Sequence, residues 1–296
     1  MNNRNAFIKI KDIKTPVVLL FIVIYISAVV MVLLRDLSNA IAFIGMSIGM
    51  LFLIWLIVGI TEKVQVSYFE IKKPGWELIF GLSILIVWDF VPLPKLAFGD
   101  RWSLGFILKK NLVFVALPFI FLKLQKNLLP SMGLTVIDWK KNLIIGLIVF
   151  FVMAIPSAFY SGTASLILSG KLSLAQLVFG FSLSFIYYFF MSGFSEKFLF
   201  RAFIQTRISV ILKSRISGIL ITALLFGLLH IPNIMRWYPG TSVIEAFCRA
   251  FFVQTFIGLI LGVLWERTRN LIPCVLLHSG IDGLNNLGHI ILQFGL

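Results

Sequence analysis

Apolar residues gather in nine runs, at about 16–34, 40–60, 78–94, 111–122, 142–160, 174–194, 216–231, 250–265 and 271–293, and the segments between them hold most of the charge. Most runs approach the roughly 20 residues that a helix needs to cross the hydrocarbon of a bilayer. In lipid there is no water to bond backbone N–H and C=O groups, so each segment must satisfy its own. The pattern therefore predicts an all-α fold, a polytopic transmembrane helix bundle of about eight or nine spans. The run 111–122 is short and contains Pro118, which makes a re-entrant piece the alternative to a full span. No internal repeat, soluble domain or low-complexity linker separates the runs.

Composition removes the soluble classes. The chain is 59% hydrophobic and 13% charged, against roughly 25% charged in a soluble domain. A net charge of +14 would point to nucleic acid in a soluble protein. Here the Lys and Arg are dispersed between apolar runs, so no nucleic-acid partner is expected. With all nine runs crossing and the N-terminus cytoplasmic, 18 of the 26 Lys and Arg fall on the cytoplasmic side. That bias orients the chain N-in and C-out, and the same charges favour the anionic headgroups of the lipid bilayer. Residues 1–14 carry Arg4, Lys9, Lys11 and Lys14 ahead of a long run without a clear small-residue cleavage site. That run reads as a retained first span and not as a signal peptide. Lys72-Lys73-Pro74-Gly75 reads as a turn, with Trp76 as an interfacial anchor. Cys248 and Cys274 make no disulfide framework. Short loops and compact size point to a bacterial cell membrane.

Polar residues in apolar surroundings concentrate after Phe194. Residues 1–125 are accordingly expected to be scaffold helices, and 126–296 the domain that carries the chemistry. An ionisable side chain within a span is costly unless paired, and so is a functional candidate. Three places qualify. Ser195-Glu196-Lys197-Phe198-Leu199-Phe200-Arg201 continues the run 174–194 and places Glu196 near the inner boundary. A poorly solvated carboxylate can act as a general base, and Arg201 is a permanent cation able to orient a carboxylate or a substrate chain end. Phe226 and His230 share a helical face at a spacing of four, ahead of Pro232. His278 and Asp282 share another, with Asn285, Asn286 and His289 near the same stripe. Charges at helix ends and lone histidines also occur as interfacial or core residues. Glu196, His230 and His278 together are the minimum set for activating a water and stabilising an oxyanion. The same three could hold a zinc ion, but no His-Glu-x-x-His pair is present, so the cofactor stays unassigned, with zinc as the candidate.

Glu196-…-Arg201, Phe226-…-His230 and His278-…-Asp282, in that order, resemble the three motifs of the CPBP family, which covers CAAX prenyl endopeptidases and bacteriocin-processing or immunity (Abi) proteins. Gly258–Pro273 resembles the lead-in to the family's third motif, and the likeness extends over about 130–290. It implies an intramembrane endopeptidase acting on a membrane-associated peptide or protein. It also implies that Glu196 is the general base, that His230 helps activate the water, and that His278 and Asp282 form the oxyanion side. Where that family usually has a second glutamate, this chain has Lys197, which on a helix points about a quarter-turn from Glu196. That substitution favours the alternative function, a catalytically inactive membrane scaffold or regulator that binds partner membrane proteins. A transporter would show broken helices repeated in two halves, and the early runs are almost purely apolar.

Overall fold

The computed structural model describes residues 15–61, 71, 73–90, 104–126 and 132–295. Helices α1 (Thr15–Leu33), α2 (Leu37–Ile60), α3 (Pro74–Phe90), α4 (Leu104–Leu124), α5 (Trp139–Tyr160) and α6 (Thr163–Leu168) make up the first half. They are followed by α7 (Leu174–Leu212), α8 (Arg215–Leu228), α9 (Ile231–Trp237), α10 (Val243–Thr268), α11 (Leu271–Asn285) and α12 (Leu287–Phe294). No strand occurs among the described residues. Among the described residues, seven helical segments are long and apolar enough to cross a bilayer by length and composition. Side chains such as Leu20, Val23, Ile41 and Trp55 are more than half exposed, an apolar surface of the kind that a bilayer covers. The chain is a multi-pass membrane protein. The basic stretch 1–14 and Lys72 lie outside the described residues; Pro74 opens α3, and Trp76 is exposed.

Three boundaries differ from the hydropathy reading. The short run around Pro118 is part of a 21-residue helical segment, α4. Its start was hidden because Lys109, Lys110 and Asn111 are polar; Pro118, which has no N–H to give, is accommodated just after a π turn over Leu112–Ala116. The run ending at 194 does not give way to a loop, since α7 continues to Leu212. Glu196 lies within this long helix, as the stretch from Leu174 without a helix breaker predicts. The last run is broken at Asn286, which ends α11 with φ −108° and ψ 14°. There the Asn286 side chain donates to Asp282 O at 2.8 Å, the local competition with helical bonding to which Asn is prone.

The chain forms two compact units, Met1–Leu93 with Phe200–Arg269, and Pro94–Leu199 with Asn270–Leu296. In the first, α10 is the most enclosed helix, with Leu261, Leu264 and Trp265 at most 1% exposed. Phe252 of α10 stacks on Phe43 of α2, ring centroids 4.9 Å apart. Arg207 is paired with Glu77 of α3 at 2.8 Å. Arg267 donates to Thr61 Oγ1 at 2.8 Å and to Val58 O at 3.0 Å, binding the last carbonyls of α2.

The second unit is built around α11. Asn270 caps it, accepting from Ile272 N at 2.9 Å and donating to Thr135 O at 3.1 Å. Gly146 of α5 lets that helix pack against the α11 backbone at Pro273, as small residues do where membrane helices approach closely. Ser184 Oγ donates to Gly283 O at 2.8 Å, and Ser157 Oγ to Asn285 Oδ1 at 2.7 Å. These bonds hold α5, α7 and α11 in one register.

Candidate active site

Two π turns in α7, over Phe189–Gly193 and Phe198–Gln205, flank the short α-helical stretch Phe194–Lys197. Such turns are rare and often mark functional positions. At Gly193 a Cβ would collide with Ser279 Oγ, so a residue without one is needed for α11 to lie against α7 here. That close approach sets Glu196 of α7 facing His278 of α11.

His278 Nε2 stands 3.4 Å from Glu196 Oε2 and 3.3 Å from Asp282 Oδ2. A ring nitrogen facing two carboxylate oxygens must carry a hydrogen, because three acceptors would repel one another. Ser192 Oγ, on the π turn, donates to the same Asp282 Oδ2 at 2.5 Å. The result is a row of four polar groups, Ser192, Asp282, His278 and Glu196. Glu196 and His278 are buried, whereas the Asp282 side chain is 29% exposed and forms the open end.

Two ammonium groups complete the cluster. Lys110 Nζ of α4 lies 2.7 Å from Glu196 Oε1. Lys197 Nζ lies 3.4 Å from Glu196 Oε2, and the lysine is 0% exposed. The quarter-turn offset expected for Lys197 does not carry its charge away, because its four-carbon side chain is long enough to bring the ammonium back to the Glu196 carboxylate. Both oxygens of Glu196 have ammonium partners in this arrangement, Lys110 on Oε1 and Lys197 on Oε2. No group of three His, Cys, Asp or Glu among the described residues is arranged to hold a metal ion.

The remaining candidates lie in the other unit. Arg201 is fully buried, donates from Nη1 to Gln205 Oε1 at 3.0 Å and sets its guanidinium 5.8 Å from the Phe226 ring centre. Gln205 in turn donates to Gly262 O at 3.0 Å and to Glu266 at 3.2 Å. His230 sits in the turn after α8, half-buried, with its ring 4.6 Å from that of Phe226 and Nδ1 2.7 Å from Phe226 O. The four-residue spacing does bring those two rings together. His289 is exposed on α12.

The family described as "Type II CAAX prenyl endopeptidase Rce1-like" matches residues 177–284. The chain carries a CAAX-endopeptidase-like region. Glu196, Arg201, His230, His278 and Asp282 all fall within it, and the match agrees with the resemblance read from the three motifs. No curated protein and no solved structure matches the chain. Sequence reasoning missed Lys110 and Ser192. Lys110 precedes the matched region, and its signal was a charge just ahead of an apolar run; Ser192 is a small polar residue four before Glu196, with nothing local to mark it.

Proposed function

We propose that the chain is an intramembrane endopeptidase that hydrolyses membrane-associated peptides or proteins. The observation that carries this reading is His278 Nε2 seated between Glu196 and Asp282 in one cluster with an exposed end. In the proposed reaction Glu196 accepts a proton from the attacking water. The Nε2–H of His278, oriented by Asp282, turns to the oxyanion that forms on the scissile carbonyl. Bond cleavage then requires the proton held by Glu196 to pass to the leaving amine. The resemblance also gives His230 a share in activating the water, Arg201 is a cation able to orient a carboxylate or a substrate chain end, and single substitutions at each test their share. The deciding experiment compares peptides released in membranes by wild type and by Glu196→Gln. Loss of release with normal accumulation of the variant is expected; undiminished release removes the mechanism.

A second reading has its own observation. The two lysines on Glu196 take the lone pairs that a water would use, as in a non-catalytic membrane scaffold that binds partner membrane proteins. It predicts no peptide release by the wild type, and partner capture that survives Glu196→Gln.

A further inference from the structure

Among the groups around Glu196, Lys110 belongs to none of the motifs and comes from 86 residues earlier in the chain. Its place is fixed from several sides. Asn111 Nδ2 donates to Ile107 O at 2.9 Å and to Phe190 O at 2.8 Å. The second bond ties the π turn that starts at Leu112 to the π turn of α7 that starts at Phe189. The ring of Phe114, on that same turn of α4, lies 5.6 Å from the Lys110 ammonium.

The two oxygens of Glu196 consequently have unequal surroundings. Oε1 has the short 2.7 Å bond to Lys110, while Oε2 has Lys197 and His278, each at 3.4 Å. Lys197 already supplies one counter-charge from the same helix. A second buried ammonium carries a desolvation cost, and apolar residues of similar volume often replace such pairs with no loss of stability. Stability alone therefore gives little reason for Lys110, whereas orientation gives a clear one.

We infer that Lys110 is a positioning residue: by holding Oε1 it fixes the rotation of the Glu196 carboxylate and keeps Oε2 turned to His278 and the water. The consequence for turnover rests on the endopeptidase reading; the ion pair itself does not.

The test uses full-length protein in lipid vesicles, with Lys110→Met and Lys110→Arg each made in wild-type and Glu196→Gln backgrounds. Infrared difference spectra between each protein and its Glu196→Gln counterpart isolate the carboxylate stretch of Glu196. That band shifts in Lys110→Met and returns towards its wild-type position in Lys110→Arg. On a peptide that the wild type cleaves, Lys110→Met lowers kcat by roughly tenfold or more, as misplacing a reacting group does. KM stays unchanged, and Lys110→Arg recovers part of the loss. An unmoved band overturns the inference whatever the activity. A moved band with unchanged kcat in an active enzyme overturns the positioning role. A wild type without peptidase activity defeats the endopeptidase reading, and the band still decides whether Lys110 sets the Glu196 carboxylate.

Discussion

Lys110 and Glu196 are 86 residues apart in the chain and 2.7 Å apart in space, joining α4 to α7 through a buried ion pair. The pair explains how α4 tolerates the buried Lys110 in a largely apolar segment: the charge meets an acid, not lipid. It also settles the formal balance of the cluster, in which Lys110 and Lys197 offset Glu196 and Asp282. A second glutamate at position 197 would have left three acids facing one lysine.

Ser192 is the first place to probe that cluster, since its hydroxyl reaches the open end at Asp282 at 2.5 Å, with Tyr188 O of its own helix 3.3 Å away. A hydrogen bond to a charged group contributes about 1.5–3 kcal/mol. If the chain is an endopeptidase, Ser192→Ala is expected to lower the initial rate of peptide release about tenfold while the protein still elutes as the wild type does. A rate equal to wild type would show that Asp282 does not need Ser192 to orient His278.

The Glu77–Arg207 pair tests the first unit without reference to chemistry. Both side chains are 1% exposed, and Arg207 also donates to Ala202 O at 2.8 Å. Removing one partner strands the other charge, at a cost of about 3–5 kcal/mol. Glu77→Leu should therefore lower the thermal midpoint in detergent by several degrees, and Glu77→Leu combined with Arg207→Met should recover most of it. Equal losses in the single and double variants would contradict the argument.

How far the sequence carried can be seen from these same residues. Period and run length were enough for an all-helical membrane protein, because lipid leaves the backbone so few choices. Glu196, His278 and Asp282 were legible as charges set among apolar neighbours. Lys110 was not, because a lysine at the edge of an apolar run looks like a loop charge until its partner is known. The continuation of α7 past Arg207 was hidden for the same reason: Arg207 reads as a cytoplasmic charge, yet it is buried against Glu77. Hydropathy counts each charge alone, and two of the three misread boundaries, the start of α4 and the end of α7, are places where charges are paired.

Packing between α5 and α11 offers a prediction about steric room. A Cβ on Gly146 would come within 2.9 Å of Pro273 Cα and of Leu276 Cδ1, whereas one on Gly45 of α2 meets nothing within 4 Å. Gly146→Ala must push backbone from backbone and should cost about 1–3 kcal/mol. Gly45→Ala should leave the thermal midpoint unchanged or raise it slightly, because alanine is the better helix former by about 1 kcal/mol. Similar midpoints for the two variants would mean that α5 and α11 are not pressed together at Pro273.

Lys197 is the substitution that separates the two functional readings. Its ammonium and His278 Nε2 lie at the same 3.4 Å from Glu196 Oε2, so they compete for the oxygen that must accept a proton from water. Lys110 stays on Oε1 when Lys197 is lost, so Lys197→Met leaves the carboxylate one cation and frees the reactive oxygen. If the chain is an endopeptidase, peptide release should rise about three- to tenfold, the effect of lowering the barrier by roughly 1 kcal/mol. The measurement is the initial rate for wild type, Lys197→Met and Lys197→Met combined with Glu196→Gln, each normalised to protein in the membrane. Release that rises in the single variant and vanishes in the double one supports Glu196 as the base. No release from any of the three would leave the scaffold as the function of this cluster.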